Sequence, residues 1–249
     1  MKIYVIESGS KGNATLIYHE GRFLLLDMGI SWTSLKDALD SLNSNIYDVD
    51  ALLLTHGHSD HTKGIQYLPP LPIYCTKDAY NSSSVHIVRP YETFNLMGLR
   101  ITPIIASHDA PNTVGYIIEN DEEKLAYLTD TGFIPDKTME YMKNADYYVI
   151  ESNHNLKMLY KCNRPQSLKE RIAGDLGHLS NEDCACYMID LVGPRTKDII
   201  LAHISEESNT YELAVETLRK KFTKAHIDMS HMDIKAAKQK EMVIGGKKE

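Results

Sequence analysis

Apolar runs rich in β-branched and aromatic residues alternate with amphipathic stretches over the whole chain. Short runs bounded by turn residues predict strands, and apolar positions at helical spacing predict helices. The predicted strands are 2–7, 14–19, 22–27, 51–55, 72–75, 85–88, 99–105, 114–119, 124–129, 146–151 and 198–202. The predicted helices are 32–42, 62–67, 76–81, 136–144, 154–162, 166–173, 181–191 and 210–221, with start signals at Ser180 and Asn209.

The order of these elements predicts an α/β architecture in which two sheets pack together and helices cover the outside. No Pro/Ser/Gly-rich linker and no internal repeat interrupts the pattern, so we expect a single domain over residues 1–234. After about residue 232 the composition turns to Lys, Gln and Glu. We therefore expect residues 235–249 to form a charged, frayed tail.

The composition predicts a cytoplasmic protein with a large core. The chain has 249 residues, 43% of them hydrophobic, and Glu7 interrupts the early apolar run, so we expect no signal peptide and no membrane partner. The four cysteines form no CxxC pair. Cys184 and Cys186 stand two positions apart on a predicted helix and face different directions, so we interpret them as inert thiols rather than metal ligands.

The formal net charge of −7 argues against a surface that binds duplex nucleic acid by bulk electrostatics. It does not exclude a nucleic-acid substrate. Two bound divalent ions would add four positive charges at the place where a phosphate must sit.

The segment ALLLTHGHSDHTKG carries the strongest chemical signal in the sequence. Its residues His56, His58, Asp60 and His61 fall within six positions directly after a predicted strand. Imidazole and carboxylate groups suit Zn²⁺ or Mn²⁺, and an extended H-x-H stretch points both histidines to one side. A solvated polar loop is a much weaker explanation of so specific a string, and we predict a metal site here.

Further metal-capable residues stand at the ends of other predicted strands. RITPIIAS ends at His108, KLAYLT ends at Asp130, and KDIILA ends at His203. Each alone is typical of an ordinary strand-end polar residue. Together with the local cluster they predict a second metal position, because strand ends at one edge of stacked sheets converge.

The string HGHSDH resembles the HxHxDH signature of the metallo-β-lactamase superfamily, and His108, Asp130 and His203 follow in the order of its later motifs. More narrowly, the chain over roughly residues 1–222 is similar to the YycJ family, also called WalJ or VicX. The motifs that carry this similarity, in chain order, are SGSKGNA, LLLDMG, SHDA, TDTG, ESNH, GHLSNED and LAHISEESN.

This resemblance implies an αββα four-layer sandwich with a dinuclear site between the sheets, and 5′ to 3′ exonuclease action on DNA. It implies that one ion is held by His56, His58 and His108, and the other by Asp60, His61 and His203. Asp130 would bridge the two ions.

Three further residues are expected to assist the site. His178 resembles a histidine that assists catalysis in the related transfer-RNA 3′ processing nucleases, although it could also be a histidine that merely precedes the predicted helix cap Ser180. Glu151 would orient His178, or is a surface strand-end carboxylate. Asp27 would hydrogen-bond a ligand histidine, or form a turn. The predicted catalytic groups are Asp60, His178 and Glu151.

Candidate substrate contacts are Ser10, Lys11 and Asn13 in a glycine-containing polar loop, and His154 at a predicted helix start. The function that these residues predict is a metal-dependent phosphodiester hydrolase, with DNA ends or single strands as the first substrate. A hydrolase of a small phosphodiester or related ester is the alternative. A signalling or scaffold protein without turnover is a third reading, and the intact ligand set argues against it.

Overall fold

A computed structural model describes residues 1–82 and 85–247 of the protein. Its strands are β1 Lys2–Glu7, β2 Ala14–His19, β3 Arg22–Leu26, β4 Val49–Leu53, β5 Ile73–Cys75, β6 Val85–Ile87, β7 Phe94–Leu96, β8 Leu99–Ile105, β9 Val114–Glu119, β10 Lys124–Leu128, β11 Tyr147–Glu151, β12 Asp198–Ala202, β13 Asp233–Ala236 and β14 Val243–Gly246. Its α-helices are α1 Trp32–Ser41, α2 Ser59–Thr62, α3 Asp136–Met142, α4 Leu156–Lys161, α5 Gln166–Ala173, α6 Asn181–Leu191 and α7 Tyr211–Lys224.

The strands form two mixed sheets. The first has the order β14-β1-β2-β3-β4-β5-β6, and the second has the order β13-β12-β11-β10-β9-β8-β7. In the first sheet β1, β2, β3 and β14 pair antiparallel, and β3 to β6 pair parallel. In the second sheet β7 to β10 pair antiparallel, and β10 to β13 pair parallel.

Three apolar clusters separate four layers. Alternate residues of β3 show the arrangement: Leu24 and Leu26 pack against the second sheet, whereas Phe23 and Leu25 pack against α1. Side chains along a strand alternate between the two faces, so a strand that is buried on both faces is apolar throughout. The outer face of the second sheet packs against α3, α6 and α7. The predicted αββα sandwich is confirmed.

The frayed tail predicted for residues 235–249 is wrong for its described part. β13 pairs parallel with β12, and β14 pairs antiparallel with β1, so the predicted limit at residue 234 falls inside a strand. Buried Ile234 and Ala237 anchor the segment despite its lysines. Lys235 Nζ reaches Asp198 Oδ1 at 3.2 Å, which accommodates a charged side chain beside the sheet. Residues 248–249 lie outside the described residues.

Other predicted elements differ locally. Residues 76–81 form no helix: 77–79 form a turn, and the Thr76 hydroxyl before it donates to the Asn112 carbonyl. The helix predicted at 62–67 is split into α2 and a 3₁₀ turn at Ile65–Tyr67. Thr210, rather than Asn209, caps α7. β7, β13 and β14 were not predicted. No helix in the described ranges is long and apolar enough to cross a membrane.

Candidate metal centre

Several predicted ligands lie just after the ends of strands and gather at one centre. His56 follows β4, His108 follows β8, Asp130 follows β10, and His203 follows β12. Asp130 and His203 adopt left-handed backbone conformations with φ of 56° and 52°. Such a conformation costs a non-glycine residue on the order of 1 kcal/mol, so the surrounding packing must hold both turns in place.

A tight loop and the short helix α2 carry the remaining histidines of the HGHSDH segment. His56 and His61 are fully buried, whereas the His58 and Asp60 side chains are partly exposed. Gly29 lets the neighbouring loop approach this segment, because a Cβ there would lie 1.5 Å from the Asp60 carbonyl oxygen. The loop at Gly29 therefore packs directly against the first turn of α2.

Asp27 and Thr55 orient two of these imidazoles. Asp27 Oδ1 accepts the Thr55 amide at 2.9 Å, and Asp27 Oδ2 accepts from His61 Nδ1 at 2.8 Å. The Thr55 hydroxyl donates to Asp27 and lies 3.0 Å from His56 Nδ1, from which it can accept. Both contacts place the ring proton on Nδ1 and leave Nε2 available as a ligand atom. The contact predicted for Asp27 is present, whereas Thr55 was not predicted.

Glu151 performs the same task for His203 and, in addition, contacts His178. Its Oε1 accepts from His203 Nδ1 at 2.7 Å and from His178 Nδ1 at 2.9 Å. Its Oε2 accepts the amides of Thr131 at 2.9 Å and Leu179 at 3.1 Å. The carboxylate is fully buried, and four donors satisfy it. The contact with His178 was expected, and the contact with His203 was not.

His108 is oriented by the backbone. Its Nδ1 lies 3.2 Å from the Gly177 carbonyl oxygen, which can only accept a hydrogen bond. Its Nε2 lies 3.3 Å from His58 Nδ1. The contact with Gly177 was not predicted, because every residue type has a backbone carbonyl and the sequence therefore does not indicate which one accepts.

The potential ligand atoms form overlapping groups within which all atoms lie within 4.8 Å of one another. Two of these groups match the two predicted ligand sets. The other two groups both contain Asp130, and each shares a histidine with a predicted set. The groups are His56, His58 and His108; Asp60, His61 and His203; His56, His61 and Asp130; and Asp130, Glu151, His178 and His203.

Three of these atoms are buried without a hydrogen-bond partner: His56 Nε2, Asp130 Oδ2 and His203 Nε2. Leaving a buried polar atom unsatisfied costs about 1–3 kcal/mol. Three such atoms in one place therefore require an explanation. A divalent cation provides one, because imidazole nitrogens and carboxylate oxygens are its ordinary ligands. The residues present fit such an ion.

The electrostatics of the centre also favour bound positive charge. Burial by itself would lower the pKa of His203, but Asp130, Asp60 and Glu151 raise that pKa to about 10. Burial likewise opposes the shift at His61, where Asp130 and Asp27 hold the pKa well above its usual value. The buried carboxylates therefore create a negative potential that either protons or metal ions can neutralise.

Asp130 and Glu151 remain ionised in this environment. Burial raises the pKa of each carboxyl group, but neighbouring histidines outweigh it. His203 and His61 lower the pKa of Asp130 well below its usual value, and His178 and His203 lower that of Glu151 to about 2. Both groups are therefore anionic at neutral pH.

The four predicted substrate contacts have different surroundings. Ser10 and Lys11 are exposed, whereas Asn13 and His154 are buried, at 2% and 1% exposure. Asn13 Nδ2 lies 3.0 Å from His61 Nε2, and the Asn13 amide donates to the Asp60 carbonyl. In this arrangement the side chains of Asn13 and His154 are buried, and their substrate contacts stay predictions.

Cationic side chains around the centre are already paired. Lys11 Nζ contacts Glu206 at 2.6 Å, and Arg164 Nε contacts Glu207 at 2.8 Å. Arg171 pairs with Asp109. Both arginines line a cavity of about 460 Å³ that opens beside His108 and His178.

Comparison with known proteins agrees with this geometry. The family model described as a beta-lactamase superfamily domain matches residues 22–204. The solved structure of the metallo-β-lactamase fold protein YhfI from Bacillus subtilis aligns over 98% of this chain and 99% of that one, with a TM-score of 0.71 and 17% identity. The fold and the site thus define a metal-dependent hydrolase of the metallo-β-lactamase superfamily.

Two curated relatives narrow this assignment. Exodeoxyribonuclease YycJ of Bacillus anthracis is 36% identical over 225 residues, covering 84% of each chain. Exodeoxyribonuclease WalJ of Streptococcus pneumoniae serotype 2 (strain D39 / NCTC 7466) is 35% identical over 241 residues, covering 91% of this chain and 90% of the relative. The chain belongs to the YycJ/WalJ family, and the resemblance seen in the motifs is confirmed.

Proposed function

We propose that the protein is an exodeoxyribonuclease that hydrolyses DNA from the 5′ end and uses two divalent ions, Zn²⁺ or Mn²⁺. The observation that carries this proposal is the set of overlapping ligand groups that share Asp130, with unsatisfied buried atoms on His56, Asp130 and His203. The names of the two curated relatives support DNA as the substrate.

In this proposal His56, His58 and His108 would hold one ion, Asp60, His61 and His203 would hold the other, and Asp130 would be shared between them. When bound, two such ions supply a nucleophile by lowering the pKa of water and neutralise the charge that builds on the phosphate. Asp60, which lies at the partly exposed edge of the centre, also positions the attacking water.

His178 supplies the proton that the leaving alkoxide needs. Its side chain is 20% exposed, so one edge of the ring can reach a substrate, while Nδ1 is held by Glu151. With Nδ1 donating to Glu151, the imidazolium form of the ring carries its second proton on Nε2 and donates it from there. Glu151 thus orients one imidazole for proton transfer and a second for metal binding, which couples the two tasks through a single carboxylate.

Ser10 and Lys11 remain proposed substrate contacts. The exposed Lys11 ammonium stands on the loop whose Asn13 contacts His61, so a phosphate near the centre lies within the field of this cation. Glu206 must give up its ion pair with Lys11 when a phosphate arrives.

The test is hydrolysis of 5′-labelled and 3′-labelled DNA, single-stranded and duplex, by protein reconstituted with Zn²⁺ or Mn²⁺. A generic nitrophenyl phosphodiester is assayed in parallel. Stepwise release of mononucleotides from the 5′ end is the expected result. Hydrolysis of the nitrophenyl ester without any cleavage of DNA would contradict the proposal and favour a small phosphodiester as substrate.

Two variants make this test specific. Asp130→Ala should abolish DNA cleavage, because the bridging carboxylate serves both ions. Asp121→Ala removes a carboxylate that is 95% exposed and pairs with Arg100, away from the centre, and should cleave DNA at the wild-type rate. Equal activity of the two variants would contradict the proposed site.

A further inference from the structure

Three exposed apolar side chains gather beside the metal centre. Ile105 and Phe133 are each 39% exposed, and Leu176 is 57% exposed. Together they line a cavity of about 300 Å³ that also includes His108. We call these three residues the apolar platform. Large apolar side chains grouped at the surface often mark a binding site.

The platform is built from the segments that carry the site residues. Ile105 stands three positions before His108, Phe133 three positions after Asp130, and Leu176 two positions before His178. Separate stretches of chain therefore bring an exposed apolar group and a site residue to the same place. Scattered exposed residues do not explain such a coincidence.

Hydrogen bonds between these segments hold the platform rigidly. The Gly132 amide donates to the Ser107 carbonyl at 2.8 Å, and the Ser107 hydroxyl donates to the Asp175 carbonyl at 2.8 Å. The Thr131 hydroxyl donates to the Phe133 carbonyl at 2.6 Å. The apolar platform is therefore fixed relative to the metal centre, as a substrate contact must be.

Three polar side chains around the cavity already donate hydrogen bonds to backbone carbonyls. Thr113 Oγ1 donates to the Ala110 carbonyl and Asn112 Nδ2 to the Lys77 carbonyl, as the Ser107 hydroxyl does to Asp175. Such a lining offers mainly apolar contact and little recognition of the hydrogen-bonding edges of a base. Contact of this kind accepts any of the four DNA bases, because each has an apolar face.

We propose that the apolar platform binds an unpaired nucleobase next to the scissile phosphate, with the base stacked on Phe133. This inference rests on the proposed nuclease function and names the part of the substrate that the site recognises. A base inside a duplex has both faces covered by its neighbours, so the platform selects single strands or frayed ends. It confers little preference for one base over another.

The experiment measures binding rather than turnover. Single-stranded oligonucleotides with phosphorothioate linkages, which resist hydrolysis, are titrated into the metal-loaded protein and followed by fluorescence anisotropy. An abasic residue or 2-aminopurine is moved from the end of the strand one nucleotide at a time. At the position that meets the platform, an abasic residue should weaken binding about 5- to 100-fold, and 2-aminopurine fluorescence should be quenched there.

Phe133→Ala should weaken binding of the intact oligonucleotide by a similar factor and barely change binding of the abasic one. Phe133→Leu keeps an apolar side chain and should recover part of the affinity without the quenching. Tyr47→Ala is the matched control. Tyr47 is 79% exposed and stands before β4, at the opposite end of that strand from His56.

Equal weakening of the intact and abasic oligonucleotides by Phe133→Ala would overturn the inference, as would no weakening of either. Circular dichroism establishes that each variant is folded. Wild-type protein is assayed separately on ordinary DNA. If DNA is cleaved but the variants show no dependence on the base, only the apolar platform is contradicted. If DNA is not cleaved at all, the proposed function itself fails.

Discussion

Replacement of Glu151 by Gln tests how one buried carboxylate controls two histidines. In the wild type, Oε2 accepts two backbone amides, and Oε1 accepts from Nδ1 of His178 and of His203. A glutamine has the same shape but only one accepting oxygen. If that oxygen stays with the backbone amides, the NH₂ group faces both imidazoles.

The two imidazoles must then accept at Nδ1 and carry their proton on Nε2. In His203 the proton then occupies Nε2, the buried nitrogen that lacks a hydrogen-bond partner. His203 can then no longer bind a metal ion through Nε2 together with Asp60 and His61. Loss of such an orienting partner typically weakens metal binding about 10- to 100-fold. The group of His56, His58 and His108 has no contact with Glu151 and should keep its affinity.

The assay is a metal titration against a competing chromophoric chelator, which resolves the two binding steps. Glu151→Gln should weaken one step by the factor above and leave the other unchanged. Glu123→Gln is the control, because Glu123 is also buried but precedes β10, whereas Asp130 follows that strand. Equal weakening of both steps, or none, would refute the reasoning from tautomers.

Three further predictions follow from the same structure. His178→Ala should leave the metal content unchanged and lower DNA turnover about 10²- to 10⁴-fold, with a much smaller loss on a nitrophenyl ester whose leaving group needs no proton; equal losses in the two steady-state assays would end the proton-donor assignment. Burial alone would raise the pKa of Asp146, but hydrogen bonds from Lys197, the Lys124 amide and Arg195 lower it. Because the folded pKa is the lower one, Asp146 stabilises the fold above its unfolded pKa of about 3.9, and this stabilisation is lost as the pH falls through the folded value. Asp146→Asn should therefore cost about 1–3 kcal/mol in urea unfolding at pH 6 and much less once the pH has fallen through the folded pKa, and a cost that does not depend on pH would count against the ion pairs. Binding of DNA should fall with salt at a log–log slope of about 2 to 3, since few cations lie near the centre and Lys11, Arg164 and Arg171 among them are already paired; a slope near that of a basic DNA-binding protein would reveal another cationic surface.

The parts of the site that could be predicted are those that residue type reveals. The HGHSDH segment is local, and His108, Asp130 and His203 each end an apolar run, so pattern and family resemblance together indicate the same residues that the fold brings together. The partners that orient the rings are harder to predict. The Gly177 carbonyl and the Thr55 hydroxyl could belong to any loop.

The end of the chain shows a second limit of local pattern. Lysine-rich composition predicted fraying, but β13 and β14 complete the edges of both sheets through pairing with β12 and β1, which lie far away in sequence. Gln239, in the same segment, contacts the loop at Gly12 and Lys11. The burial of Asn13 therefore depends partly on residues that local composition marked as a tail.

The central claim is that the histidines and carboxylates of this centre hold two divalent ions that share Asp130. The most direct test is elemental analysis of the purified protein after supplementation with Zn²⁺ or Mn²⁺ and removal of unbound metal. The account predicts two ions per chain in the wild type, fewer than two in Asp130→Ala, and two in the control Asp121→Ala. A wild-type protein that saturates at one ion, or an Asp130→Ala variant that retains both, would contradict it.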